Sequence, residues 1–295
     1  MVMNLLARAL LAAVWLLHWL PLGVQAVLGR GLGVLLYHLA TRRRKLALRN
    51  VQLCLPELDE AARVTLVRVH FKWLARSLLE RALLWYASPT RLKRLIHVEG
   101  DIHLAERSDR AVMWLVPHFL GVDVAGAATQ LFQGKKVCNV YTVQSNAVLD
   151  AALRQGRGRF GLAEMFPRHQ NAISMVRAIK RGLPFFNPSD MDFGLRDAAF
   201  VPFFGHPAAT LLAPSRLARS LNMIVQPVVA EILPGGQGWR VRFLPAWEGW
   251  PTDNPEADAA AMNRFIEAQI RLLPEQYLWV HKRFKTRPPG QPSLY

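Results

Sequence analysis

The stretch Ala111–Gly126, AVMWLVPHFLGVDVAG, decides how the chain is read. Its apolar first part, Ala111–Val116, reads as a buried strand, and Asp123–Phe132 reads as the helix that follows. His118 stands between them, just beyond the strand. Working outward, short apolar runs alternate with helical stretches, the pattern of an α/β domain. Strands are expected at Leu95–Val98, Ala111–Val116, Val137–Thr142, Pro184–Asn187, Met223–Val229, Arg240–Leu244 and Tyr277–Val280. Helices are expected at Leu58–Tyr86, Asp123–Phe132, Val148–Phe160, Asn171–Lys180, Leu211–Leu221 and Pro255–Leu273, with Pro89 breaking the first.

His118 and Asp123 form an H-x4-D pattern. A loop imidazole can fold back over a helix N-terminus, where an aspartate is favoured by the helix dipole and accepts a ring proton. So held, His118 takes a proton from a hydroxyl nucleophile and returns it to a leaving group, an effect typically worth about 10²–10⁴-fold. The bland alternative is a loop histidine satisfied by backbone groups, beside an ordinary helix N-terminal carboxylate. The position at a strand end, where open α/β sheets place their ligand crevice, favours the chemical reading.

The 295 residues are 52% hydrophobic and carry a formal net charge of +16, which excludes general disorder and points to an anionic partner. The N-terminus narrows the choice, because no acidic residue precedes Glu57 and Leu10–Leu28, LLAAVWLLHWLPLGVQAVL, approaches the roughly 20 apolar residues that cross a bilayer. His18, Pro21 and Gln25 are its soft spots. A second apolar stretch, Gly31–Leu39, leads into Arg42, Arg43, Arg44, Lys45 and Arg49, a cluster that holds the downstream chain in the cytoplasm or grips anionic headgroups. The expected organisation is an anchor with its basic flank over residues 1–45 and a catalytic domain over residues 46–295. Cys54 and Cys138, in apolar surroundings without CxxC spacing, read as buried thiols. For nucleic acid, no compact reading element or stacking platform is found.

Four blocks carry a family resemblance: PHFLGVD (Pro117–Asp123), YTVQSNAVLDAALRQGRGRFG (Tyr141–Gly161), SDMDFGLRDAAFVPFFGHPAAT (Ser189–Thr210) and MNRFIEAQIRLLPEQYLWVHKRFKTRPPGQPSLY (Met262–Tyr295). Together, from about Arg42 to Tyr295, they resemble the bacterial lipid A lauroyl and myristoyl acyltransferases. The resemblance implies a glycerolipid-acyltransferase-like mixed sheet flanked by helices, with an N-terminal membrane-anchor helix. It implies a metal-independent enzyme without a cofactor, single-pass or monotopic in the bacterial inner membrane, its catalytic domain facing the cytoplasm. The donor would be acyl carrier protein, and the acceptor a Kdo-bearing lipid A precursor. His118 and Asp123 match the family's catalytic motif, while Asp190 and Asp192, before Phe193 and Gly194, match its second acidic motif. Thr142 and Val143 replace a common Arg-Pro and Ser189 a usual proline, departures that bear on acceptor or chain-length preference.

The remaining candidates follow from residue type. Asp190 and Asp192, at i and i+2, order the floor of the site or pair with arginines. Arg154, Arg157 and Arg159, among Gly156, Gly158 and Gly161, can reach a phosphate or developing oxyanion. His281, Lys282, Arg283 and Lys285 leave an apolar run as a basic strip, suited either to a phosphorylated, carboxylate-bearing sugar or to simple attraction to the membrane surface. Phe203 and Phe204 are candidates for an acyl-chain groove. Two rival readings remain at this stage: an acyltransferase acting on another membrane glycolipid or lysolipid, and a non-catalytic basic membrane scaffold.

Overall fold

A computed structural model of the chain describes residues 2–168 and 172–295. Helices come first: α1 (Val2–Leu17), α2 (Leu22–Leu39), α3 (Thr41–Cys54), α4 (Glu60–Tyr86) and the short α5 (Pro89–Leu95). Strands and helices then alternate as β1 (Ile96–Gly100), α6 (Leu104–Arg107), β2 (Val112–Leu115), α7 (Val122–Leu131), β3 (Val137–Tyr141), α8 (Ala147–Gly158), β4 (Ala163–Pro167), α9 (Ala172–Lys180) and β5 (Phe185–Asn187). The chain finishes with β6 (Ala198–Phe203), β7 (His206–Leu211), α10 (Ala213–Ser220), β8 (Ile224–Ile232), β9 (Trp239–Phe243) and α11 (Pro255–Leu272). Asn171, the expected first residue of one helix, lies outside the described residues.

The main sheet has seven strands in the order β1-β9-β8-β2-β5-β3-β4, parallel except where β8 meets β9. It is the mixed, helix-flanked sheet that the sequence implies. β2 lies at its centre, and all four of its residues are buried, which is why VMWL is an unbroken apolar run. β6 and β7 form a separate antiparallel hairpin turned by Phe204 and Gly205, both at positive φ. Pro202 and Pro207 face each other across it, and such prolines hide a strand pair from pattern reading. β4 escapes for another reason: it is a half-buried edge strand without an apolar run.

α4 is the spine of the fold, 27 residues or about 40 Å long. Asp59 caps its start by accepting from the Ala62 N–H at 2.7 Å. Its end is set by Ser88, extended before Pro89, which opens α5. Midway, buried Arg76 donates to Glu80 at 2.8 Å, and Glu80 also accepts from the Trp239 indole at 2.8 Å, tying α4 to β9. Burial pushes the Glu80 carboxyl up, against the opposing pull of Arg76.

The N-terminus corrects the expected helix over Leu10–Leu28. The soft spots His18, Pro21 and Gln25 build a turn that separates α1 from α2. Pro21 cannot continue an i→i−4 ladder. Buried Gln25 reaches back to the carbonyls of Leu17 and Leu20 at 2.8 and 3.1 Å, and Arg91 donates to those of His18 and Leu20 at 2.6 and 2.7 Å. The carbonyls of Leu17, His18 and Leu20, freed by the break in the helix, thus each find a side-chain donor. The apolar helix of spanning length is α2, 18 residues or about 27 Å, drawn from the end of the first stretch and all of the second.

One face of α2 lies against α4 at backbone distance. A Cβ at Gly33 would stand 2.4 Å from Lys72 Cα, and one at Gly29 would stand 2.6 Å from Arg76 Cγ. The other face exposes Val24, Val27, Leu28, Val34, Leu35 and Leu39, and α1 adds Leu5, Leu6, Leu10, Trp15 and Leu16. An apolar surface of this size signals a lipid or apolar partner. The basic segment expected as a juxtamembrane cluster is helical α3, with Leu46, Ala47, Val51 and Cys54 buried. Both cysteines are buried free thiols, as the sequence suggests.

Gly33→Leu is expected to force α2 from α4 and destabilise the protein by about 1–3 kcal/mol or more, the usual cost of overpacking. Thermal unfolding in detergent, beside the exposed control Gly31→Leu, checks this; equal transition midpoints would show that the close approach is unimportant.

Candidate active site

β2 delivers His118 to the C-terminal edge of the sheet, beside β5, its neighbour in register from Met113/Phe185 to Leu115/Asn187. The loop after β5 carries Asp190, which binds His118 twice. Asp190 Oδ2 accepts the His118 backbone N–H at 2.9 Å, and Oδ1 lies 2.5 Å from His118 Nδ1. A carboxylate at Nδ1 places the ring proton there and leaves the Nε2 lone pair for chemistry. The Asp190 side chain is 2% exposed and that of His118 18%, so the imidazole is reachable while the carboxylate that holds it is not. Burial pushes the Asp190 carboxyl up, but the His118 ring and N–H outweigh it and hold the group below its ordinary range, as an anion.

The third wall is the segment after α11, expected as the strand Tyr277–Val280. It is no strand. It pairs with the His118 loop instead, through Leu120 N–H to Gln276 O at 2.8 Å, Leu278 N–H to His118 O at 3.1 Å and a bridge between Phe119 and Tyr277. Tyr277 is buried, and burial, followed by the neighbouring Asp190 charge, pushes its phenol well up and keeps it protonated. His281 follows, its Nε2 buried without a hydrogen-bond partner among the described residues. Burial first, then the nearby His118, lowers its pKa to about 4, so it stands neutral near the base.

Asp123 is the main correction. The expected His118–Asp123 pair is not formed, because the first turn of α7 aims this carboxylate at α4 and α8. Arg81 Nε binds Oδ2 at 2.8 Å, and Arg157 binds Oδ1 through Nε at 2.9 Å and Nη2 at 2.7 Å. Burial raises this carboxyl, but Arg157 and Arg81 prevail and hold it far below the usual range. The aspartate that meets the imidazole is Asp190.

Other candidates separate in the same way. Asp192 accepts from the Thr286 N–H at 2.6 Å, the Thr286 hydroxyl at 2.8 Å and the Gly194 N–H at 2.9 Å, so it fastens the C-terminal segment rather than facing a substrate. Arg283 is buried under the hairpin, donating to Ala209 O and Thr210 Oγ1, each at 2.9 Å, with its guanidinium over Phe203. Phe203 itself is fully buried among Phe204, Tyr277 and Phe284, a core residue instead of a groove wall; Phe204 forms the hairpin turn. Arg154, half exposed, pairs with the buried Asp150 at 3.2 Å, and Arg159 donates to Ala87 O while lying over Phe160. Lys282 and Lys285 are exposed.

Arg81, Tyr277 and Asn50 are the contributors that pattern reading missed. Asn50 donates to the carbonyls of Trp279 and His281, both at 2.7 Å. A signal existed for two of them: Asn50 stands on the face of α3 that buries Ala47, Val51 and Cys54, and Arg81 interrupts the apolar run Leu78–Tyr86.

An imidazole held by a buried carboxylate at a strand end is an arrangement that general acid–base chemistry uses. Residues 3–286 match the family described as bacterial lipid A biosynthesis acyltransferase. The chain is 34% identical to the lipid A biosynthesis lauroyltransferase of Escherichia coli (strain K12), covering 97% of this chain and 93% of that one. It is 32% identical to the palmitoleoyltransferase of the same strain, covering 97% and 92%, and 28% identical to its myristoyltransferase, covering 92% and 83%. The protein belongs to the bacterial lipid A biosynthesis acyltransferase family.

Two histidines give the fold an acid limit. His70 is fully buried, its Nδ1 3.0 Å from Glu275 O, and burial lowers its pKa to about 4, as for His281. Between about pH 4 and about pH 6.5 the unfolded chain binds more protons than the folded one, so stability rises with pH across that window. Urea unfolding midpoints are expected to fall on acidification through it, and to fall less in a His70→Gln, His281→Gln double variant. An undiminished fall would assign the effect to other groups.

Proposed function

We propose that the enzyme transfers a fatty acyl chain from an acyl carrier protein thioester to a hydroxyl of a Kdo-linked lipid A precursor, with His118 as general base. The observation that carries this reading is the double hold of Asp190 on His118, which fixes both the loop and the ring tautomer. His118 Nε2 removes the acceptor hydroxyl proton as that oxygen attacks the thioester carbonyl. The tetrahedral oxyanion forms beside the first turn of α7, where the Val122 and Val124 N–H groups are taken by Phe119 O and Gly121 O and the Asp123 N–H, without a partner among the described residues, is left to donate. Collapse breaks the carbon–sulfur bond, and the imidazolium returns its proton to the departing thiolate. The new ester stays on the lipid, and no covalent enzyme intermediate or cofactor is needed.

The acceptor's chains stay in the bilayer, which agrees with the exposed apolar faces of α1 and α2. α2 enters the inner membrane, and the basic start of α3 keeps the sheet on the cytoplasmic side, where acyl carrier protein is found. The relatives' names differ in the acyl chain, so chain length is left open.

Lipid A mass spectrometry of a deletion strain tests the assignment. Loss of the gene should remove one acyl chain, and His118→Ala should not restore it. Purified Asp190→Asn should retain the fold and lose about 10²–10⁴-fold in kcat. An unchanged lipid A mass without the gene would end the proposal, and a fully active Asp190→Asn would end its mechanism.

A further inference from the structure

We propose that the cleft between α4 and α8 is the subsite for the anionic sugar head of the acceptor lipid, an inference that rests on the acyl-transfer reading above. The cleft opens into a cavity of about 360 Å³ lined by Trp85, Tyr86, Gln155, Gly156, Arg159 and Phe160. Gly156 is the residue that lets the helices close. A Cβ there would stand 2.5 Å from Trp85 Cγ, so the α8 backbone lies directly on the indole. Aromatic side chains and a planar guanidinium in one cavity suit a sugar ring that carries a phosphate or a carboxylate.

Two features mark the cleft as built for an anion. Arg159 donates to Ala87 O and lies 4.5 Å over Phe160, but its Nε is buried without a partner, and no carboxylate pairs with it among the described residues. Half-buried, this guanidinium faces the cavity without a counter-charge of its own, and its burial lowers its pKa. One turn before Trp85 on α4 stands Arg81, and next to Gly156 on α8 stands Arg157, both bound to Asp123. Two guanidiniums on one carboxylate leave a positive charge, and their side chains remain 33% and 35% exposed.

The ends of the cleft fit the substrate's two parts. At one end, Arg81 and Arg157 meet on Asp123 in the first turn of the helix that follows the His118 loop, so the cleft leads from the cavity toward that loop. At the other, Tyr86 meets His18 at the α1/α2 turn, ring centroids 5.8 Å apart, beside exposed Trp19 and the apolar face of α1. A head group enters from that side while its chains remain in lipid.

Steady-state kinetics of the full-length protein in mixed micelles test this, with the phosphorylated, Kdo-bearing tetraacyl precursor as acceptor and acyl carrier protein thioester as donor. Arg159→Gln should raise the acceptor KM about tenfold, the loss expected for one charge-assisted hydrogen bond, with donor KM and kcat within about twofold of wild type. Arg159→Lys, which keeps the charge, should recover part of the loss and serves as the reading if Arg159→Gln does not fold. The variant-to-wild-type ratio should fall to one on phosphatase-treated acceptor if the cleft reads phosphate, or on acceptor lacking Kdo if it reads the carboxylate. Unchanged acceptor KM, a rise in donor KM, or a ratio that persists on all three lipids would overturn the subsite. Failure of the acyl-transfer reading looks different, since wild type itself would then form no acylated product.

Discussion

Everything at the catalytic edge depends on one carboxylate making two bonds to one residue. Asp190 fixes the His118 main chain and ring together, so the loop cannot shift without the imidazole losing its partner. The arrangement follows from strand order, because β2 and β5 are adjacent and parallel and their following loops therefore leave the sheet side by side. Burying Asp190 is unfavourable in isolation, and the ring and N–H of His118 offset that cost. Support and base stabilise each other before any substrate arrives.

The segment from Tyr277 to Thr286 transmits this constraint across the molecule. It joins the His118 loop by backbone bonds, is gripped from α3 by Asn50 and by Arg43 to Val280 O at 3.0 Å, and is fastened to the loop after β5 by Asp192. Tyr295 closes the circuit, donating to Asn50 at 2.6 Å and accepting from the Phe284 N–H at 3.0 Å. An irregular strip of chain thus acquires the rigidity that a strand would have had, from side chains in place of a ladder.

The sheet was legible because its central strands are buried on both faces and carry unbroken apolar runs. β4 and the hairpin were not, one being half-buried and the other carrying opposed prolines. The position of His118 just beyond a central strand was legible from the apolar run before it. Its partner was misassigned because proximity in sequence favoured Asp123, whereas the contact that forms spans 72 residues and depends on strand order, which periodicity does not encode. The anchor was misplaced for a related reason: composition tolerates Pro21 within a span, but only tertiary contacts from Gln25 and Arg91 reveal that the turn is satisfied.

The excess of positive charge also changes meaning in three dimensions. Arg43, Arg49, Arg91 and Arg283 each donate to backbone carbonyls at joins where no helix or strand supplies a donor. Arginine suits such joins, since it carries five donors on a long stem and does not deprotonate. These residues contribute to the formal charge of +16 while serving as struts between segments. The exposed cations that remain nearby include Arg42 and Lys45 on α3 and Lys282 and Lys285 on the C-terminal segment. Because Arg43 ties those two elements together, these free charges flank the strip that carries His281 to the base. The positive charge that is not spent on struts is therefore gathered beside the segment whose backbone pairs with the His118 loop.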